Sequence, residues 1–187
     1  PGDRVIVNQV TSCGHCYPCR MGRGNVCDSL AVRGVHIDGG YQEYIAVPQE
    51  DCYLLPDSIS DTDAVMIEPA TIAIQSCTRA ELIKDDMLLI YGCGALGSSI
   101  LKIARLLCDY IIVADVIDEK LEGAKSAGAA HTINVLKEDL EEKIKEYTHG
   151  HGATVSIDAV CGNDSLIRLL KATGNAGRVI TMGFSTS

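Results

Sequence analysis

Four cysteines, Cys13, Cys16, Cys19 and Cys27, follow a C-x2-C-x2-C-x7-C spacing that puts four thiols within fifteen residues. Gly14, Pro18, Gly22 and Gly24 are interleaved with them, and such residues let a short loop wrap tightly around a small centre. Four thiolates with no open position describe a closed tetrahedral zinc site. An iron–sulfur run is the nearest rival, but its last gap is about three residues and proline follows, whereas here the gap is seven and Asp28 follows. Two disulfides are a third use of the same thiols. His15, inside the loop, reads as an exposed histidine, because the thiols already fill the coordination sphere.

A second group of residues suits a phosphate-bearing ligand. Gly92-Cys93-Gly94-Ala95-Leu96-Gly97 follows the apolar run "LLIY" and opens an amphipathic helix, the context that gives a G-x-G-x-x-G pattern its meaning. Gly92 makes the tight turn, Gly94 admits a pyrophosphate close to the backbone, and Gly97 lets the helix pack against the strand. The unpaired N–H groups and positive dipole end of that helix favour an anion. Asp115 ends the next strand, eighteen residues after Gly97. A carboxylate there accepts ribose hydroxyls and repels a 2′-phosphate, and Val116 and Ile117 supply no cation, so NAD is favoured over NADP. A turn and a strand-end cap kept only for packing are the plainer reading, disfavoured because the two features occur together. Cys93 stands at the dipole's positive end, a place that can lower a thiol pKa, but a small residue filling a tight turn is the preferred reading.

These residues need a frame. Residues 1 to about 60 look β-rich, with "RVIVNQV" and "YQEYIAV" as strands and Gly39-Gly40 between them, and the pattern changes from about Asp61. "DTDAVM" opens a helix and Pro69 starts another. We expect a domain boundary near 75, giving domains at 1–75 and 76–187. Beyond it, strands near 87–91, 110–114, 131–134, 154–158 and 178–182 alternate with helices from about 95 and near 118–127, 138–147 and 163–172. That order is an α/β fold with a doubly wound parallel sheet. "KEDLEEKIKEY" is a solvated helix face whose buried side is Leu140, Ile144 and Tyr147.

Composition narrows the function classes. The 187 residues are 47% apolar and 22% charged, an ordinary globular balance. Sixteen basic against twenty-five acidic residues leave a net charge of -9, the wrong sign for binding a phosphate backbone. A nucleic-acid zinc ribbon is disfavoured further by the four basic and ten acidic residues of 1–75. Apolar runs fall short of the ~20 residues that cross a bilayer, so no membrane partner is expected. Scattered single cysteines (Cys52, Cys77, Cys93, Cys108 and Cys161) suit reduced core thiols and a cytoplasmic location. Pro1-Gly2-Asp3-Arg4 reads as a turn already inside a domain, and the chain is expected to be a fragment.

The segments "GDRVIV", "SCGHCYPCRMGRGNVC", "DGGYQEYIAVP", "EPATIA", "LLIYGCGALG", "IVADV", "SIDAV" and "GRVITMGF" together resemble the medium-chain, zinc-dependent alcohol and polyol dehydrogenases over the whole chain. The resemblance implies a partial GroES-like catalytic domain followed by a Rossmann domain with five of six strands. It also implies a structural zinc on Cys13, Cys16, Cys19 and Cys27 and a second, catalytic zinc in the full-length parent. That metal acts as a Lewis acid on a substrate hydroxyl, and the hydrogen on its carbon leaves as hydride to NAD. Glu68, before Pro69, matches the carboxylate ligand of the sorbitol- and threonine-dehydrogenase-like branch; a helix-boundary glutamate is the alternative. The family's other catalytic ligands lie upstream of the "GDRV" turn, so this polypeptide alone should lack turnover.

Val160, Met182, Gly183 and Phe184 end strands where the family's nicotinamide lies, and strand-end packing is the alternative for each. "GVHIDGGYQEYIAVP" and "VMIEPATIA" look most like bacterial polyol and sugar-acid dehydrogenases, and the family implies a homodimer or homotetramer. His36 either faces the substrate cleft or is a surface or packed histidine. His149 and His151 read as a flexible loop rather than a metal site. A threonine dehydrogenase, a simple alcohol dehydrogenase, and a non-catalytic NAD- and zinc-binding sensor are the competing functions.

Overall fold

The computed structural model describes residues 2–183. Two compact units divide between Val65 and Met66. The division falls ten residues before the expected boundary at 75, because helix Ile67–Arg79 buries Ala73 and Cys77 in the core of the second unit.

The first unit is thinly built. Strand β1 (Val5–Val7) pairs antiparallel with β4 (Cys52–Leu54), and β2 (Val10–Thr11) pairs with β3 (Ala31–Val32). The run "RVIVNQV" is thus two strands rather than one. Asn8 Oδ1 accepts the Val10 N–H at 3.0 Å, a local side-chain turn that interrupts the ladder. Arg33 and Asp51 form a half-buried pair at 2.9 Å. The expected strand "YQEYIAV" does not form. Its apolar and aromatic residues suit a strand, but no strand among the described residues pairs with it, and Tyr41 and Tyr44 stand in solvent. Ser60 caps the short helix α2 (Asp61–Ala64) by accepting the Asp63 N–H at 3.1 Å; helix α1 belongs to the cysteine loop below.

The second unit holds a five-stranded parallel sheet in the order β7-β6-β5-β8-β9. Its strands are β5 (Met87–Tyr91), β6 (Tyr110–Asp115), β7 (His131–Asn134), β8 (Ala153–Asp158) and β9 (Thr173–Thr181). Both faces are covered, which is why β5 and β6 read as unbroken apolar runs. Leu88, Ile90 and Val113 face α3 (Ile67–Arg79), α4 (Ala95–Ala104) and α5 (Asp118–Ser126). Leu89, Ile112 and Ala114 face α6 (Leu140–Tyr147) and α7 (Ser165–Ala172). The doubly wound α/β fold is as expected. Strand β9 begins five residues early, with a register break between Ala153 and Val155, where Gly174 and Gly177 insert extra chain opposite β8.

Chain order runs outward from β5 to β7 and then returns to β8 on the other side of β5. The C-terminal ends of β5 and β8 therefore form the crevice where this class of sheet binds ligands. At the opposite end of the sheet, Asp86 is 5% exposed and both its oxygens accept from Arg178 Nη2 at 2.7 Å. Thr154 Oγ1 donates to the same carboxylate at 2.7 Å and accepts the Met87 N–H at 2.9 Å, so β5, β8 and β9 are stapled together. Removing one partner of such a pair leaves a buried charge alone. Arg178→Ala should lower the unfolding free energy by about 3 kcal/mol in urea titration; an unchanged midpoint would mean that the pair is idle.

Candidate cofactor cavity and cysteine lobe

The ends of β5, β6 and β8 surround a cavity of about 290 Å3, lined by Tyr91, Gly92, Gly94, Ala114, Asp115, Val116, Lys120, Val135, Ala159 and Val160. Each glycine of the turn has its own reason. Gly92 has φ +95°, and a Cβ on it would meet Val160 Cγ2 at 2.5 Å. A Cβ on Gly97 would stand 1.9 Å from the Gly92 carbonyl oxygen, so only glycine lets α4 approach the turn. Above Gly94 there is open space, with nothing within 4 Å of a would-be Cβ. That opening lies beside the first N–H groups of α4, which have no partner within the helix.

Asp115 is 8% exposed and ties the turn to β6. Its Oδ2 accepts the Cys93 N–H at 2.6 Å, and its Oδ1 accepts Val116 N–H at 2.7 Å and Ile117 N–H at 3.0 Å. A carboxylate offers about four acceptor sites, so three backbone donors still leave room for a ligand hydroxyl. Lys120, in the first turn of α5, lines the same cavity. Sequence reading stopped at Val116 and Ile117 and missed this cation. Its signal was a lysine five residues beyond the strand-end aspartate, in the first turn of the next helix.

Cys93 is not a dipole-activated thiol, which agrees with the preferred reading of a small residue in a tight turn. Its side chain joins the core beneath the sheet, and burial pushes the thiol pKa up, with the Asp115 charge adding to the rise. Leu96 and Met182 also pack against that core, and Ser76 Oγ lies 3.0 Å from Met182 Sδ. Gly183 lies against Cys161, whose Sγ would be 2.8 Å from a Cβ there. Ala95, Leu96, Gly97, Met182 and Gly183 do not form the cavity wall, and Phe184 lies outside the described residues. Glu68 is exposed in the first turn of α3. His36 is exposed, and its Nδ1 accepts the Val32 N–H at 3.0 Å. His149 and His151 flank Gly150 in an exposed turn.

In the first unit, a loop containing helix α1 (Tyr17–Arg20) brings Cys13, Cys16, Cys19 and Cys27 together, their Sγ atoms all within 4.8 Å of one another. Cys16 and Cys27 Sγ are 3.7 Å apart, against an edge of about 3.8 Å for a tetrahedron of thiolates at zinc–sulfur distance. The donor set fits zinc. Backbone N–H groups point at the sulfurs, from Cys16 to Cys13 at 3.4 Å and from Cys13 and Ser29 to Cys27 at 3.3 Å. Donors from the backbone of His15 and Cys16 hold the Cys13 thiol down to about 6, whereas the neighbouring Cys16 sulfur and burial push Cys19 up to about 11. His15 stays exposed, its Nδ1 2.8 Å from the Cys13 carbonyl oxygen.

Elemental analysis should find one zinc per chain, and Cys19→Ser should release it without unfolding the sheet unit; iron, or paired disulfides, would overturn this. Zinc uptake releases the protons that thiolates give up. With Cys13 already ionised above about 6, uptake at neutral pH should release fewer than four protons per ion, measured with a pH indicator. The number released should rise as pH falls below that value.

Comparison with known proteins places these features. Residues 1–57 match the alcohol dehydrogenase GroES-like domain model, and residues 95–187 match the zinc-binding dehydrogenase model. The starvation-sensing protein RspB of Escherichia coli K12 is 42% identical over 187 residues, covering 99% of this chain and 55% of that protein. Sorbitol dehydrogenase of Bacillus subtilis 168 is 32% identical over 184 residues, covering 97% of this chain and 52% of that protein. The structure of the RspB alcohol dehydrogenase from E. coli CFT073, complexed with NADH, superposes with a TM-score of 0.92 at 42% identity, covering 100% of this chain and 55% of that one. The chain spans about half the length of the curated relatives it matches. With matches to both domain models, on either side of residues 58–94, the chain belongs to the zinc-type alcohol dehydrogenase family.

Proposed function

We propose that the sheet unit binds NAD at the glycine turn and that the whole protein is an oxidoreductase. In it, hydride passes from a secondary alcohol of a polyol or sugar acid to NAD. The observation that carries this reading is the open space over Gly94, bounded on one side by the start of α4 and on the other by Asp115. The lining suits the adenosine and pyrophosphate of a dinucleotide. The first amides of α4 receive the pyrophosphate, Asp115 accepts a ribose hydroxyl, and Val116 and Val135 give a flat purine apolar walls; Val160, expected beside the nicotinamide, lines the same cavity as Asp115 and is assigned here to the purine instead. Lys120 adds a cation near the same ribose and softens the discrimination against a 2′-phosphate. NAD, when bound, supplies the hydride acceptor. The NADH complex of the RspB relative and the sorbitol dehydrogenase name of another support the reading.

A structural zinc on Cys13, Cys16, Cys19 and Cys27 belongs to the same proposal, and Glu68 is assigned as a ligand of a catalytic zinc. Such a zinc needs three protein ligands and an open position. Among the described residues, the four lobe thiols are the only set of three or more candidate ligands. Glu68 does not by itself make that centre, and no chemical step is derived through it here. No helix among the described residues is long and apolar enough to cross a membrane. The starvation-sensing name of RspB favours one second reading, an NAD- and zinc-binding sensor.

Calorimetry on the chain should give tighter binding of NAD than of NADP, and Asp115→Ala should shrink that ratio by about tenfold, the cost of one hydrogen bond to a charged group. An unchanged ratio would remove the role given to Asp115. The 187-residue chain should produce no NADH from any polyol or sugar acid, while the whole protein should do so and lose most of that activity with Glu68→Ala. Turnover by the chain alone would overturn the ligand argument, and a fully active Glu68→Ala enzyme would overturn only the assignment of Glu68. A whole protein that binds NAD but oxidises no alcohol would favour the sensor.

A further inference from the structure

Asp158 ends β8 with a carboxylate only 1% exposed to solvent. Its Oδ1 accepts the Val160 N–H at 3.0 Å and the Cys161 N–H at 2.8 Å, and its Oδ2 accepts from Ser165 Oγ at the start of α7. These donors are neutral, two backbone amides and a hydroxyl. A buried carboxylate is costly, so donors gathered around it mark a local structure that depends on it. Here that structure is an uncommon one. Cys161 has φ +55°, in the left-handed region that a residue with a Cβ seldom adopts. The Asp158 backbone oxygen also receives the Met182 N–H at 3.2 Å and the Cys161 thiol at 3.4 Å, which brings the end of β9 to the same turn.

What the turn presents to the cavity is Val160. Its Cγ2 lies where a Cβ on Gly92 would be 2.5 Å away, and its side chain closes the cavity that Asp115 and Val116 also line. Val160 follows Asp158 by two residues and takes its orientation from the turn that the carboxylate holds. Asp115 does the complementary work on the other side of β5, through the Cys93 N–H. The glycine turn thus lies between two strand-end carboxylates, and only Asp115 borders the cavity itself.

We propose that Asp158 is a positioning residue of the nucleotide cavity, one that fixes the Val160–Cys161 turn so that Val160 forms the apolar wall against which the adenine ring packs. The proposal rests on the cavity being a nucleotide site. Asparagine keeps an acceptor for the two amides and lets Ser165 Oγ accept where it now donates. It should therefore preserve the turn, whereas alanine should not.

The test is a double-mutant cycle on the full 187-residue chain, with ADP as the probe in calorimetry. Asp158→Ala and Val160→Ala should each weaken ADP binding about fivefold, the scale of losing a buried methyl-sized contact. If Asp158 acts through Val160, the double variant should bind no more weakly than the poorer single one, and Asp158→Asn should bind within about twofold of wild type. Amide exchange at Val160 and Cys161 should quicken in Asp158→Ala and stay slow in Asp158→Asn. Should Asp158→Ala fail to fold, Ser165→Ala takes its place in the cycle, with the same non-additivity expected. Losses that simply add, or an Asp158→Asn variant as weak as alanine, would overturn the proposal while leaving the cofactor reading intact. A wild-type chain that does not bind ADP would overturn both.

Discussion

The second unit depends on one close approach, that of Gly97 to the carbonyl oxygen of Gly92. A single methyl group at Gly97 would stand 1.9 Å from that oxygen, a separation no packing adjustment of a rigid helix start can accommodate. Because α4 comes so near the end of β5, its first amides face the same space as the open side of Gly94. The same face of the helix, one and two turns on, delivers Ile100, Leu101 and Ala104 to the core against the sheet. The contact therefore sets both the core on one face of the sheet and the opening at its end.

The first unit is organised differently. Among its described residues only Cys27 and Ala64 belong to the buried apolar set, and its four described strands are two or three residues long. Hydrophobic burial is too small there to carry the ordering entropy of sixty-five residues. The convergent thiols of the lobe, with backbone amides already aimed at them, are the strongest organising feature left, since a structural zinc contributes its binding energy directly to folding. The half-buried Arg33–Asp51 pair adds a second anchor, at a desolvation cost that limits its net contribution.

Buried carboxylates recur in the sheet unit, and their surroundings separate their uses. Asp86 faces a guanidinium, accepts the Ile83 N–H at 2.9 Å as well, and joins three strands at the end away from the cavity. Asp115 and Asp158 instead collect neutral backbone N–H groups at the cavity end, so each shapes the turn beside it. A chain with a net charge of -9 thus spends several of its acids on backbone geometry rather than on its surface.

Much of this was legible in one dimension. Cysteine spacing predicted a four-thiol cluster because a loop of that length closes on itself locally. The glycine pattern predicted the turn because its sharpest demand, the approach of Gly97 to the Gly92 carbonyl oxygen, lies between residues close in sequence. Alternating strands and amphipathic helices predicted the doubly wound sheet, since periodicity reports which faces are covered. The strand at 41–47 was wrongly expected for the complementary reason: a run of aromatic and β-branched residues after a glycine turn says nothing of whether another strand lies beside it. Lys120, Val160 and Asp158 became neighbours of the glycine turn only when β6 and β8 took their places on either side of β5. Residues brought together by a sheet's crossover carry no fixed spacing in sequence, so only the tertiary structure decides what they face.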